Sequence, residues 1–357
     1  MTPLSDIILL FPYYLTLKIR HFLYDKGIWK SKSYPVPVIS IGNVTVGGTG
    51  KTPHSELFLR VLGDRYKVAV VSRGYGRKSS GYREVAVGDS AREAGDEPLQ
   101  IKRKYPNVRV VVDGNRQRAI DQLLEGADRP DVILLDDAFQ HRAVTPGLSV
   151  VLINYHRPID QDHLLPLGRL RDLPETLKRA DWVIVTKYPG IEVTELERKQ
   201  WRERLHLRDD QRLFFSKIAY DKPLPVLPGG DARYCYAPKA ILFSGIADDR
   251  LLTMRVRSDY QLVGHRRFAD HHNFSASEWR SLAQLAAKQP TAVVLTTEKD
   301  ARRIVPTDVP ESLRERLFYV PIKAEIIPAV EHLPRVIPEE LCGLGEKELY
   351  EALMTIL

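Results

Sequence analysis

Six short apolar runs, most of them rich in β-branched residues, punctuate residues 36–187 of this chain. They are VPVISIGNV (36–44), YKVAVVSRGYG (66–76), NVRVVVDG (107–114), PDVILLDD (130–137), LSVVLINY (148–155) and ADWVIVTK (180–187). Runs of this length that do not alternate with polar residues read as strands buried on both faces. Stretches with helical spacing lie between them, including PHSELFLRVLG (53–63), GDEPLQIKRKY (95–105) and RQRAIDQLLEG (116–126). Strand and helix in alternation predict an α/β fold, a mostly parallel sheet flanked by helices. In such a sheet ligands bind at the carboxyl ends of the strands. Here those ends carry glycine-rich and charged sequences.

The 357 residues favour two domains, and 43% hydrophobic with 28% charged residues describes a globular chain. A proline-rich stretch with a Gly-Gly pair, 220–239, predicts a linker or hairpin. It divides a core domain, 35–219, from a smaller C-terminal α/β unit, 240–357. That unit has strand-like runs at 240–247, 260–268, 291–300 and 316–326. Its helix, 275–288, opens with Ser275 and Glu278 in capping-box spacing. The two cysteines, Cys235 and Cys342, match no metal or redox spacing, which fits a reducing compartment.

Residues 1–34 are expected to form an amphipathic helix. The apolar part, Ile7 to Leu17, has about 11 residues where a span needs roughly 20, and it lacks the basic start and cleavage site of a signal peptide. Lys18, Arg20, His21, Lys26, Lys30 and Lys32 follow, interleaved with Phe22, Leu23, Tyr24 and Trp29. This suits a helix lying on an anionic membrane surface. It would equally suit a helix packed on the protein's own core. The net charge of +7 and pI near 9.2 imply an acidic partner. No nucleic-acid-binding module accompanies that charge.

GNVTVGGTGKT (42–52) joins the first strand to a helix and ends in the Gly-Lys-Thr of a phosphate-binding loop. The amides around Gly47, Gly48, Thr49 and Gly50 would cradle phosphate, Lys51 would bridge β- and γ-phosphate oxygens, and Thr52 would hold Mg²⁺. Pro53 fits the first helical turn, where its missing amide costs nothing. Thr45 stands where the general pattern has glycine, so the lead-in must differ, with Gly42 or Gly47 supplying the bend. A phosphate loop also needs a strand-end carboxylate for its metal. Asp136 and Asp137 meet that need, one for the metal or its water shell and one for a neighbouring cation, with Gln140 and His141 following on the same rim. Arg73, Tyr75 and Arg77, then Asp113, Asn115, Arg116 and Arg118, mark two more strand ends. Asp270, His271 and His272 are consecutive and cannot all converge on one ion, so proton handling is the better reading than metal binding.

The ordered set NVTVGGTGKTP, SRGYGR, GDEP, LLDDAFQH, LKRADWVIVTK, FADHHNF and TTEKDA resembles the tetraacyldisaccharide 4′-kinase family over most of the chain. The resemblance implies a P-loop NTPase-like kinase using ATP and Mg²⁺. Its substrate would be an acylated disaccharide lipid, phosphorylated at the 4′-hydroxyl to give lipid IVA in lipid A (lipopolysaccharide) biosynthesis. It implies Asp96 as general base supported by His271, with Lys51 also catalytic. Asp136 or Asp137 would hold the metal, and Arg73, Tyr75, Asn115, Arg116, Gln140 and His141 would line the groove for the phosphorylated sugar. It also places the N-terminal helix on the cytoplasmic face of the inner membrane, since four acyl chains keep the substrate there. No obligate protein partner is inferred.

Three departures from the family pattern stand out. Ala138 replaces a glycine after the aspartate pair. LRDLPE (170–175) puts Asp172 where a glutamate near the metal is usual. Arginines follow Lys299 and Asp300, whose meaning stays open. The rival readings are a membrane-associated P-loop ATPase switch of the partitioning or targeting type, and a soluble small-molecule kinase.

Overall fold

The computed structural model describes residues 2–270, 272–328 and 344–356. The chain forms two compact units, Met1–Ile218 with Ala324–Leu357, and Ala219–Lys323. The first contains the larger sheet. Its strands are β1 (Val38–Gly42), β2 (Val68–Ser72), β3 (Arg83–Glu84), β4 (Arg109–Val112), β5 (Val132–Asp136), β6 (Leu148–Asn154), β7 (Trp182–Thr186) and β8 (Arg212–Tyr220), with a late strand, Ile322–Ile327, at the edge. The order is late strand, β8, β7, β6, β1, β5, β2, β4, β3. All pairings from β8 to β4 are parallel, and the two-residue β3 pairs antiparallel with β4.

Alternate residues of the same strands feed opposite faces, as the period of two requires. Ile39, Ile41, Val70 and Leu134 pack with Leu57, Phe58 and Leu62 of α3 (Lys51–Leu62), after the N-terminal helices α1 (Leu4–Leu9) and α2 (Phe11–Asp25). Val38, Val71, Ile133 and Leu135 pack on the other face with Ala119, Ile120 and Leu123 of a helix at Arg116–Glu125. Two helices precede that one, α4 (Ala91–Ala94) and α5 (Asp96–Lys104), so Arg116–Glu125 is α6. The sheet is thus covered on both faces. Strand β8 and the helix before it, Glu195–Arg204, are additions that the apolar patterning of the sequence does not single out.

The second unit has its own sheet. After β9 (Leu224–Pro225) come β10 (Lys239–Ser244), β11 (Gln261–Arg267), β12 (Val293–Thr297) and β13 (Leu317–Val320), in the order β11, β10, β12, β13, β9. Only β9 is antiparallel. Its helix Ala276–Ala287 has the capping box expected from Ser275 and Glu278.

The expected division differs from the structure in three places. The 220–239 stretch is part of the second unit, carrying β9 and the 3₁₀ turn Ala232–Tyr236. The run 316–326 is two strands in two different sheets, broken at Pro321, whose ring removes a ladder donor. The chain beyond it returns to the first unit, where Leu349 and Leu353 of the helix Leu344–Met354 join the α3 side of the core.

At the N-terminus two helices replace the single expected one. They break at Leu10, and Pro12 sits in the first turn of α2, where proline is tolerated. Leu17 and His21 are buried, whereas Phe11, Leu15, Ile19 and Phe22 form an exposed stripe at helical spacing. No helix among the described residues is long and apolar enough to cross a membrane.

Candidate active site

Strand β1 delivers the phosphate loop to the carboxyl edge of the sheet. Its parallel register with β5 pairs Ile41 with Asp136, so the carboxylate is level with the start of the loop. A side chain at Gly42 would lie 2.7 Å from Phe139 Cβ, which makes glycine necessary there for close packing and not for a bend. The lead-in is extended: Arg171 N donates to Val44 O (2.9 Å), Val46 N donates to Arg169 O (2.8 Å), and Thr45 pairs antiparallel with Leu170. Thr45 therefore needs no positive φ. The turn comes at Gly47 (φ 86°), and Gly50 (φ 86°) caps α3 in the left-handed region.

Three side chains brace this loop. Asn43 Nδ2 donates to Thr49 Oγ1 (2.7 Å), and Thr186 Oγ1 at the end of β7 donates to Thr49 O (2.9 Å). His54 Nδ1 lies 2.7 Å from Gly50 O and its Nε2 lies 2.8 Å from Ser216 Oγ. A carbonyl only accepts, so Nδ1 carries the hydrogen and Ser216 donates to Nε2. Burial holds the His54 pKa down at about 4.

The two aspartates have divided environments. Asp137 (φ 50°) is bonded by both terminal nitrogens of Arg171, one at 3.1 Å, and its Oδ2 is 3.8 Å from Lys51 Nζ. Burial would raise its pKa, but the Arg171 hydrogen bond and the Lys51 and Arg171 charges hold it below the usual value. Asp136 is buried and meets hydroxyls, Ser55 at 3.0 Å and Ser72 at 3.4 Å. Burial, then the Glu97 and Asp137 charges, push it up to about 7 against the opposing pull of Lys51 and Ser55. A buried carboxyl raised first by burial, with two further anions beside it, sits where a cation is favoured.

Arg73, Arg116 and His141 share this electrostatic neighbourhood. Arg116 is almost fully buried, and burial lowers its pKa against the attraction of Asp136. His141 is pushed down to about 4 by burial and by Arg116, Arg20 and Arg73. Arg116 Nε, His141 Nε2 and Arg171 Nε are buried without a hydrogen-bond partner. Tyr75 is exposed on the loop after β2.

Two other expected residues, Asn115 and Gln140, are engaged in framework. Asn115 caps α6 by accepting from Arg118 N (3.2 Å), and Gln140 Nε2 donates to Asn43 O (2.8 Å). Asp96 opens α5 after Gly95, and Thr52 lies in the first turn of α3. Asp172 is fully buried and committed to His21 Nε2 (2.6 Å) and Arg179 (3.6 Å). Burial would raise its pKa, but the His21 hydrogen bond and the neighbouring charges bring it below the usual value. His271 lies outside the described residues.

A family model described as Tetraacyldisaccharide-1-P 4'-kinase, LpxK, matches residues 4–339. The chain belongs to this family. A tetraacyldisaccharide 4'-kinase of Porphyromonas gingivalis is 40% identical over 335 residues, 92% of either chain. One from Flavobacterium johnsoniae is 39% identical over 329 residues, covering 89% of this chain and 92% of its own. A crystal structure of LpxK from Aquifex aeolicus in complex with ATP superposes with a TM-score of 0.71 at 27% identity, covering 99% of this chain and 98% of that one.

Sequence alone does not single out several side chains at the phosphate loop of this 4'-kinase. Arg171 lies beside Asp172 in a quoted motif, yet only the contact with Asp137 reveals it. Lys187 has a left-handed backbone (φ 59°), and its Nζ would be 3.6 Å from a Cβ at Gly48. Its signal is a cation at a strand's carboxyl end. Ser55 falls one helical turn after Thr52, and Glu97 follows Asp96. Nothing local marks Asn43 or His54.

Proposed function

We propose that this kinase transfers the γ-phosphoryl group of ATP to the 4′-hydroxyl of tetraacyldisaccharide 1-phosphate, giving lipid IVA in lipid A biosynthesis. The observation that carries this reading is the likeness, over nearly the whole chain, to an ATP-complexed LpxK, centred on a fully formed phosphate loop. The amides of 47–52 and Lys51 bind the polyphosphate, while Arg171 and Lys51 flank Asp137. The same observations disfavour a partitioning-type ATPase switch, whose relatives would not be lipid kinases.

Mg²⁺ fits this donor set. Asp136 offers a buried carboxyl with excess negative charge around it, and Thr52 offers a hydroxyl at the head of α3. Asp137 is occupied by cations, so it serves the metal through its charge and water shell. Bound Mg²⁺ would neutralise charge on the β- and γ-phosphoryl oxygens. Few protein ligands are needed, since Mg²⁺ keeps phosphate oxygens and waters.

Asp96 acts as general base. It takes the 4′-hydroxyl proton as the O–P bond forms and the bond to ADP breaks. The family resemblance pairs it with His271. Arg73, Tyr75, Arg116 and His141 face the anionic sugar, and Asn115 and Gln140 hold the frame behind them. The exposed apolar stripe of α2, with Lys18, Lys26 and Lys30 around it, suits the anionic cytoplasmic face of the inner membrane.

The deciding experiment is incubation with γ-labelled ATP, Mg²⁺ and detergent-solubilised tetraacyldisaccharide 1-phosphate. Labelled lipid is expected, and its absence would sink the reading. Asp96→Ala should abolish transfer while sparing most ATP binding; full activity would remove Asp96 as the base.

A further inference from the structure

The inner face of α2 grips both loops behind the phosphate site. Tyr13 Oη donates to Arg171 O (3.1 Å), Arg20 donates to the Gln140 carbonyl, and His21 Nε2 meets Asp172 Oδ1 at 2.6 Å. Arg142 closes the arrangement from the other side. Its Nη1 lies 3.2 Å from both His21 O and His21 Nδ1, and its Nη2 donates to Asp25 at 2.6 Å. Guanidinium nitrogens only donate, so Nδ1 accepts and Nε2 carries the hydrogen given to Asp172. Arg171, the residue before Asp172, bonds Asp137 and Asn43, and Gln140 also bonds Asn43. Asn43 in turn holds Thr49 of the phosphate loop (2.7 Å). Two hydrogen-bonded paths therefore run from one helix to one loop.

We propose that His21 is a positioning residue of the nucleotide site. Through Asp172 it fixes the 169–172 segment, and so holds Arg171 against Asp137 and the lead-in strand against Thr45. The helix that presents an apolar stripe outward is thereby also part of the ATP site. Burial suits the pair to this role. His21 is 7% and Asp172 0% exposed, and a buried charge-assisted hydrogen bond is worth more than a surface one. The inference rests on reading the loop as an ATP site, which nucleotide binding by the unaltered protein tests separately.

The test is calorimetric titration of the full chain in detergent with Mg²⁺ and a non-hydrolysable ATP analogue, without lipid. His21→Leu should weaken binding by about tenfold, the loss expected for one buried hydrogen bond to a charge. His21→Gln, which retains a donor, should recover most of it. In turnover the loss should fall on KM for ATP more than on kcat, and partition onto anionic vesicles should be unchanged. Wild-type affinity in a folded His21→Leu protein overturns the proposal. Should that variant fail to fold, amide exchange in the unaltered protein decides. Saturation with the analogue should slow exchange at 169–172 and at 17–24 of α2, and unchanged exchange in α2 overturns the proposal. Failure of the unaltered protein to bind the analogue would instead overturn the kinase reading.

Discussion

Lys51 Nζ lies 3.8 Å from Asp137 Oδ2, and the same carboxylate is bonded by both terminal nitrogens of Arg171. Asp137 thus fixes two cations beside the phosphate loop before any phosphate arrives. Such preorganised charge is what phosphoryl transfer requires, because the transition state offers little else for a protein to act on. Lys51→Ala should lower kcat by about 10²- to 10³-fold, the usual cost of one charge-stabilising donor. Steady-state transfer to the lipid measures this. A variant within threefold of wild type would show that Lys51 stands outside the reaction.

Asp136 makes the metal-free protein sensitive to pH. Its pKa of about 7 lies well above its ordinary value, so the fold holds a proton that the unfolded chain releases. Its stabilising contribution is full below about pH 4 and is lost as the pH rises toward 7. His141, at about 4, acts oppositely: its contribution is present above about pH 6.5 and is lost as the pH falls toward 4. Thermal unfolding of Asp136→Asn and His141→Asn across pH 4–8 should remove one slope each. Mg²⁺ should also displace the Asp136 proton, so uptake at about pH 6.5 should release more protons than uptake at about pH 8.5. Equal release at both would place the metal elsewhere.

Most of the larger sheet is legible in the sequence because six of its strands lie in short apolar runs, whereas β3 and β8 do not announce themselves that way. The phosphate loop is legible from Gly-Lys-Thr and its strand-helix context. Thr45 is not, because what replaces glycine's freedom there is a strand pairing with Leu170, contributed by a segment 125 residues away. Pairings over such distances leave no local periodicity. The same is true of His21 with Asp172 and of Asn43 with Gln140. The aspartate pair reads from sequence as sharing two duties, and only the structure tells their partners apart: hydroxyls for Asp136, cations for Asp137. The two-sheet split at Pro321 escapes sequence patterning because the chain before and after the proline is equally apolar.

Thr45→Gly should therefore be harmful. A glycine in this paired stretch adds backbone freedom to the unfolded chain and gives the loop nothing it lacks. A loss of roughly 0.5–1 kcal/mol in stability is expected, with no gain in kcat. Denaturant unfolding monitored alongside activity checks both, and a faster enzyme would mean that the lead-in strand restrains the reaction.

His54 ties Gly50 to Ser216 of β8 across a fully buried ring. His54→Val keeps much of the volume but leaves the Gly50 carbonyl and the Ser216 hydroxyl without this partner. The cost should be about 1–3 kcal/mol in stability. Because Gly50 begins α3, KM for ATP should rise several-fold, and binding of the analogue should weaken in parallel. Unchanged nucleotide affinity in a folded variant would reduce His54 to a packing residue.

The outer face of α2 should govern membrane binding independently of the nucleotide. Phe11, Leu15, Ile19 and Phe22 are each at least 40% exposed and recur on one side of the helix. None of them takes part in the hydrogen bonds that Tyr13, Arg20 and His21 make to the site loops. Burying an exposed side chain of this size in the headgroup region is worth roughly 1–2 kcal/mol. The double substitution Ile19→Ser and Phe22→Ser should thus lower partition onto anionic vesicles by about a hundredfold. Residual binding should weaken further with salt, because Lys18, Lys26 and Lys30 contribute through charge. Analogue affinity in detergent should remain that of wild type, the reverse of the pattern expected for His21→Leu. Vesicle co-sedimentation and calorimetry on the same preparations separate the two faces, and undiminished partition of the double variant would assign membrane contact to another surface.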